Sequence, residues 1–272
     1  MNRAGIVGAG RMGQAMVGHL LGGAFGVTVA DSDDDACARA EALGADIVKT
    51  PAEVAAMSDV VFIAVGFDAE AAAVCHGEEG IFAAAAPGCI VVLNSTVSPD
   101  LARELGQEAA ALGLGFLDIP IARGAGAADT GTLLALAGGD AAALDQVRPM
   151  LATFCSDIAH LGEVGHGQVA KAINNLLLWV NGVALIEAGQ LAASTGIDLP
   201  KLRGALQMSS GQSWALDEWD HVSFTWALKD MQIVLEMCDR ASLSAPMMGL
   251  VKEQVKAARK IKLEGGVNWT ED

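Results

Sequence analysis

The sequence predicts an α/β fold, a doubly wound and mostly parallel sheet followed by an all-α C-terminal domain, and three observations carry that expectation. Short β-branched runs alternate with alanine-rich amphipathic stretches over roughly the first 160 residues. Glycines cluster where the first such run gives way to the first amphipathic stretch. Past Gly165 the apolar spacing is helical alone.

In chain order, strands are expected at 5–7, 27–30, 60–65, 90–93, 115–118, 133–137 and 158–160, each a short run of small or β-branched apolar residues. Helical periodicity between them, as at 12–21, 36–42 and 99–112, makes the segment a succession of βαβ units. The C-terminal helices are expected at 168–194, 199–208, 226–241 and 246–262, broken at "TGIDLP", "SSGQS" and "SLSAP". The change falls in "GEVGH" (162–166), which gives domains of residues 1–163 and 164–272. The last residues, "EGGVNWTED", are expected to form a short, polar, poorly ordered end.

Composition removes several classes of function. Hydrophobic residues make up 52% and charged ones 18%, so the chain is globular rather than disordered. A net charge of −16, from 17 Lys and Arg against 33 Asp and Glu, repels polyanions and argues against nucleic acid as a partner. The five cysteines are scattered without metal-ligand spacing, so reduced thiols in a cytoplasmic protein are expected, with no bound metal and no disulfide. The first apolar run leads directly into a glycine motif, leaving no room for a signal peptide. "LLLWVNGVAL" (176–185) is the most membrane-like stretch, but Asn174, Asn175, Asn181 and Glu187 interrupt or bracket it, so a buried helix and no membrane association are expected.

Residues 8–13, "GAGRMG", have the G-x-G-x-x-G spacing between a strand and a helix, and the second strand ends at Asp31. In a Rossmann-type unit Gly8 makes the tight turn, Gly10 lets backbone approach a pyrophosphate, and Gly13 lets helix and strand pack closely. The helix N-terminus receives the phosphate charge. Asp31 would accept the ribose hydroxyls and repel a 2′-phosphate, which favours NAD over NADP. "DSDDD" also fits an N-cap for the next helix, with Asp31 merely solvated.

On a helix, Lys171, Asn174 and Asn175 of "KAINN" share one face, continued by Leu178 and Gly182. An ammonium and two amides there can converge on one small polar molecule, and the lysine can stabilise a reacting carbonyl oxygen and deliver a proton to it. The same residues also fit a structural amide pair beside a snorkelling lysine. Arg123, in "IPIARGAGAADTGTLLALAGG" (119–139), is a permanent cation among small residues and must meet solvent, an acidic side chain or a bound anion.

Five blocks, "GIVGAGRMGQAMVGHL", "STVSP", "DIPIARGAGAADTGTLLALAGG", "KAINN" and "ALKD", stand in the order and at the spacings of the β-hydroxyacid dehydrogenase family, which the chain resembles over nearly its whole length. The resemblance implies that Lys171 is catalytic, assisted by Asn175, and that Asn174 and Asn175 hold the substrate. It further implies that Arg11 and Met12 lie at the pyrophosphate turn, Asp31 at the ribose, Val65 and Thr96 along the cofactor, and Lys229 at its nicotinamide end. Many members have glycine where Arg123 stands, serine at Ala122, and aspartate at Leu93 before the "ST" pair.

The loop is similar to that of the sulfolactaldehyde reductase branch, so Arg123, the Gly124 backbone and Leu178 are expected at the substrate, with the guanidinium on an anionic tail. The competing expectation is a salt bridge to Asp118 or Asp129. The function so implied is NAD-dependent hydride transfer between a short anionic β-hydroxy acid and its semialdehyde, with a sulfonate or a carboxylate tail such as that of 3-hydroxyisobutyrate. An imine reductase and a non-catalytic NAD(H)-binding sensor are the rival readings. Arg11, Arg123, Lys171 and Lys229 are expected to focus positive charge inside an acidic shell. Trp214 and Trp219, both expected to be exposed, and the apolar helices after Leu176 suggest a homodimer or homotetramer.

Overall fold

Strands covered on both faces must be apolar at successive positions, and those of the N-terminal half are. In the computed structural model, which describes residues 1–270, Ile6, Val29, Phe62, Val92 and Leu117 join one buried cluster. Their strand neighbours Val7, Ala30, Val61, Val91 and Phe116 join another. One sheet with two covered faces follows from that alternation.

The strands are β1 (Arg3–Val7), β2 (Gly26–Ala30), β3 (Asp46–Ile47), β4 (Val60–Ile63), β5 (Ile90–Leu93), β6 (Gly115–Asp118), β7 (Ile121–Ala122), β8 (Leu133–Gly139) and β9 (Cys155–His160). Their order is β3-β2-β1-β4-β5-β6-β8-β7, with β9 also pairing β8. The pairings from β3 through β6 are all parallel, and β8 runs antiparallel to β6. This is the doubly wound, mostly parallel sheet the sequence predicts. The two strands it does not reveal, β3 and β7, have two residues each, too few to display a period. The fourth strand ends at Ile63 rather than at residue 65, and the Val65 N–H leaves it for Ser95 Oγ, 2.9 Å away.

The covering helices are α1 (Arg11–Gly22), α2 (Asp34–Leu43), α3 (Pro51–Met57), α4 (Asp68–Cys75), α5 (Ile81–Ala84), α6 (Pro99–Ala111), α7 (Gly124–Thr130) and α8 (Ala141–Phe154). Their starts carry clear local signals. Thr50 and Glu53 form a capping box ahead of α3 with Pro51 at its start, and Ser98 caps α6 ahead of Pro99.

The chain divides into two compact units, Met1–Lys171 and the residues from Ala172 onward. The division falls inside α9 (His166–Ser194), whereas the sequence pattern changes just before that helix begins. The second unit continues with α10 (Leu199–Gln207), α11 (Trp214–Asp217), α12 (Ala227–Arg240) and α13 (Pro246–Leu263). Its core gathers Trp179, Val183, Ile186, Trp219, Met231 and Trp269.

Three expectations are corrected here. Residues 264–270 are not a loose polar end: Trp269 is fully buried and its indole N–H donates to the Leu185 carbonyl, 3.1 Å away, while Val267 packs in the same core; Glu271 and Asp272 lie outside the described residues. Trp219 is buried too, since its large ring fills that core, so only Trp214 of the pair is exposed. Finally, α9 has 29 residues and is long and apolar enough to cross a membrane by length and composition. Helix geometry carries the apolar face past the asparagines that interrupt the sequence. Trp179, Val183, Leu185 and Ile186 of α9 lie in the second unit's core, but only 33% of its most apolar window is buried, so the helix expected to be buried is buried on one face alone.

Candidate active site

The carboxyl ends of the parallel strands bring the glycine loop, Asp31, Val65 and the 94–97 segment to one edge of the sheet. The strand order reverses between β2-β1 and β4-β5, the switch point where such sheets bind ligands. Gly8, at φ +95°, makes the turn out of β1, and a side chain there would meet the Ala64 carbonyl and Val65. A Cβ on Gly13 would overlap the Gly8 carbonyl oxygen, so only glycine lets α1 start this close to the strand.

The loop fits a dinucleotide pyrophosphate. A Cβ on Gly10 would meet nothing within 4 Å, which leaves the backbone open to approach. The α1 N-terminus has no side-chain cap and no acidic residue in its first turn, so its amides are available to an anion. Arg11 and Met12 open that helix. Met12 packs against the core, and Arg11 reaches both carboxylate oxygens of Asp129 at 2.6 Å.

Asp31 is not merely solvated, and it is not a helix cap. Its Oδ2 accepts the Ala9 N–H at 2.5 Å and its Oδ1 the Asp33 N–H at 2.8 Å. The cap of α2 is Asp33, which accepts the Asp35 N–H. Asp31 therefore latches the middle of the glycine loop from the end of β2.

Lys171 is positioned by the start of α9, and residues to which sequence reasoning gives no such role place that start. Asp118, fully buried at the end of β6, accepts the Gly165 and Gln168 amides through its two oxygens, each at 2.8 Å. It caps a helix far away in sequence, so the four-residue spacing of a local cap is absent from the chain. Burial pushes its carboxyl up to about 6, and the Gly165 and Gln168 amides act in the opposite direction. A Cβ on Gly167 would overlap the Asp118 and Leu136 carbonyl oxygens, so the first turn rests directly on the sheet. One turn later the Lys171 Nζ donates to the Ile121 carbonyl at 2.7 Å. On the other side, Ser95 Oγ accepts the Val65 N–H, and Leu93 is buried in the core. Thr96 follows in that segment.

Arg123 has a different partner from either one expected. It adopts φ +87° at the start of α7, the left-handed region that favours glycine, which accounts for the glycine common there in the family. Its guanidinium lies 2.7 Å from Asp157, 2.9 Å from Ser156 Oγ and 3.1 Å from the Thr132 carbonyl. Asp118 is taken by the α9 amides and Asp129 by Arg11, so neither serves it. The expected focus of bare positive charge is corrected accordingly, because Arg11 and Arg123 are each matched by a carboxylate. Both pairs are partly exposed, and such pairs are weak enough to exchange for another anion. Gly124 is the first residue of α7.

The remaining candidates belong to the second unit. Asn174 Nδ2 donates to the Oδ1 of the buried Asn175 at 3.0 Å, and Leu178 packs against that unit's core. Both amides lie one turn beyond Lys171 along the continuous helix. Lys229, in the first turn of α12, sits 3.9 Å from the Asp230 carboxylate and 5.5 Å above the Trp226 ring. Asp230 also accepts the Trp179 indole N–H at 2.9 Å.

Comparison with known proteins agrees with this architecture. Residues 3–162 match the model described as the NAD binding domain of 6-phosphogluconate dehydrogenase, and residues 165–267 match that of NADP-dependent 3-hydroxyisobutyrate dehydrogenase. The chain is 35% identical over 77% of its length to a probable mitochondrial 3-hydroxyisobutyrate dehydrogenase of Dictyostelium discoideum, spanning 65% of that protein. It is 33% identical over 81% of its length to an NAD-dependent L-serine dehydrogenase of Pseudomonas aeruginosa, spanning 74% of it. The solved 3-hydroxyisobutyrate dehydrogenase of Mycobacterium tuberculosis with L-serine superposes with a TM-score of 0.86 at 26% identity, covering 99% of this chain and 97% of that one. With both halves matched and the glycine loop built for a dinucleotide, the chain belongs to the β-hydroxyacid dehydrogenase family.

Proposed function

We propose that the protein transfers a hydride between NAD(H) and a short anionic β-hydroxy acid or its semialdehyde, with Lys171 moving the proton. The observation that carries this reading is the placement of Lys171, one turn into a helix whose start is fixed by a buried carboxylate and whose ammonium is held on the Ile121 carbonyl.

In reduction Lys171 stabilises the oxygen that gains charge and then donates its proton to it. In oxidation the neutral amine takes the hydroxyl proton. The nicotinamide, when bound, supplies or accepts the hydride. Gly8, Gly10 and Gly13, with Arg11 and the α1 amides, would hold its pyrophosphate. Asp31 would accept the ribose hydroxyls and disfavour a 2′-phosphate, which supports NAD over NADP. Asn174 and Asn175 would orient the substrate.

The names of the relatives point to the substrate class, since serine and 3-hydroxyisobutyrate both carry a hydroxymethyl group next to the carboxylate-bearing carbon. Within that class we favour a sulfonate tail, as in sulfolactaldehyde, on one observation: Arg123 is a permanent cation whose carboxylate partner is exposed and exchangeable. A carboxylate tail is the alternative.

The test follows NADH absorbance with sulfolactaldehyde, methylmalonate semialdehyde, succinate semialdehyde, tartronate semialdehyde and a cyclic imine. Turnover of an anionic semialdehyde that collapses in Lys171→Ala, with NADH binding retained, supports the reading. Wild-type turnover by that variant removes Lys171 from the chemistry. Silence across the panel with NADH still bound makes the protein a dinucleotide sensor instead.

A further inference from the structure

Gln168 joins two segments that the proposed chemistry needs in register. Its side chain is 1% exposed. Nε2 donates to the Ser95 carbonyl at 2.8 Å, Oε1 accepts the Val97 N–H at 3.1 Å, and its own main-chain N–H goes to Asp118 at 2.8 Å. The two loop partners flank Thr96, and Lys171 stands three residues on, one turn along the same helix. Both ends of one buried amide are thus spent on the main chain of a single loop. An amide sealed from water holds its partners tightly, because breaking either bond leaves a buried polar group unpaired.

We propose that Gln168 is a positioning residue: by holding the backbone on both sides of Thr96 to the turn that carries Lys171, it sets the spacing between the nicotinamide side of the cofactor site and the ammonium that moves the proton. The proposal rests on Lys171 being the acid–base group. Hydride and proton must reach the two adjacent atoms of one carbonyl, and a misplacement of about 1 Å costs such a reaction roughly 100-fold. Asp118 and Gly167 seat the helix on the sheet, whereas the side-chain bonds of Gln168 are what tie that helix to the 95–97 loop.

Gln168→Met keeps the length of the side chain and removes both loop bonds. NADH affinity, titrated by nicotinamide fluorescence, should stay within about threefold, because the glycine loop and Asp31 are untouched. Turnover of the semialdehyde used best should fall by about 10- to 100-fold. The isotope effect with 4-deuterated NADH should rise as hydride transfer becomes limiting, and hydrogen exchange in the 94–98 segment should accelerate. Gln168→Glu adds a rescue: as a neutral acid it reproduces both bonds, and once ionised next to Asp118 it loses the one to Ser95. Its turnover relative to the wild type should therefore recover at pH about 5.5 and drop at pH about 8.5.

A folded Gln168→Met with wild-type turnover and isotope effect overturns the proposal. If that variant does not fold, a pH-independent ratio for Gln168→Glu does so. Lys171→Ala assayed alongside separates the two failures, since an inactive lysine variant beside fully active Gln168 variants defeats this inference alone.

Discussion

Replacing Asp118 by asparagine separates the charge of the helix cap from its shape. In the wild type the carboxyl titrates at about 6 against an ordinary 3.8, because it is fully buried. The native state therefore binds this proton more tightly than the unfolded chain does. The stabilisation is fully present below about pH 4 and is lost as the pH rises through 6. A window of roughly two pH units at about 1.4 kcal/mol each makes the loss about 3 kcal/mol. Asparagine has no proton to lose, but it can accept only one of the two amides and turns its NH2 toward the other, at a cost of about 1–3 kcal/mol. Urea unfolding of both proteins between pH 4 and 8 gives the difference curve. The wild type should lose stability relative to Asp118→Asn between pH 4 and 6, with the difference flat above. Parallel curves would show that Asp118 keeps an ordinary carboxylate affinity for its proton and that burial does not govern it.

Three further outcomes are expected. Arg123→Gly should hold or raise stability in urea unfolding, since relief of the left-handed strain (about 1–3 kcal/mol) outweighs loss of the exposed ion pair with Asp157. The same variant should raise KM for an anionic semialdehyde if Arg123 binds its tail. Trp269→Ala should cost about 3–5 kcal/mol, measured by thermal unfolding, because it empties a fully buried site and removes the indole bond to the Leu185 carbonyl. Asp31→Ala should weaken NADH and narrow its advantage over NADPH in fluorescence titration.

Patterns local in sequence were legible and pairings across it were not. The glycine loop, the parallel strands and the shared helix face of Lys171, Asn174 and Asn175 follow from spacing alone, since each is a local regularity. Asp118 and Gln168 show no such pattern: one caps a helix 47 residues away and the other reaches back 71 residues to Val97. The choice of Asp157 by Arg123 is equally non-local, being set by the pairing of β9 with β8, which brings Asp157 opposite Leu134. Trp269 was misjudged for a related reason, because a glycine-rich polar segment gives no hint that one indole in it completes a core.

The bond from Ala9 to Asp31 bears on any attempt to redesign cofactor preference. On the proposed reading, the carboxylate that closes the glycine loop through the Ala9 amide is also the one that would discriminate the ribose. Exchanging it for a small or basic residue to admit a 2′-phosphate would also open the loop, so affinity for both dinucleotides would fall before preference reversed. A successful switch has to supply a second acceptor for the Ala9 amide, and selection for NADPH use should recover paired substitutions rather than changes at position 31 alone.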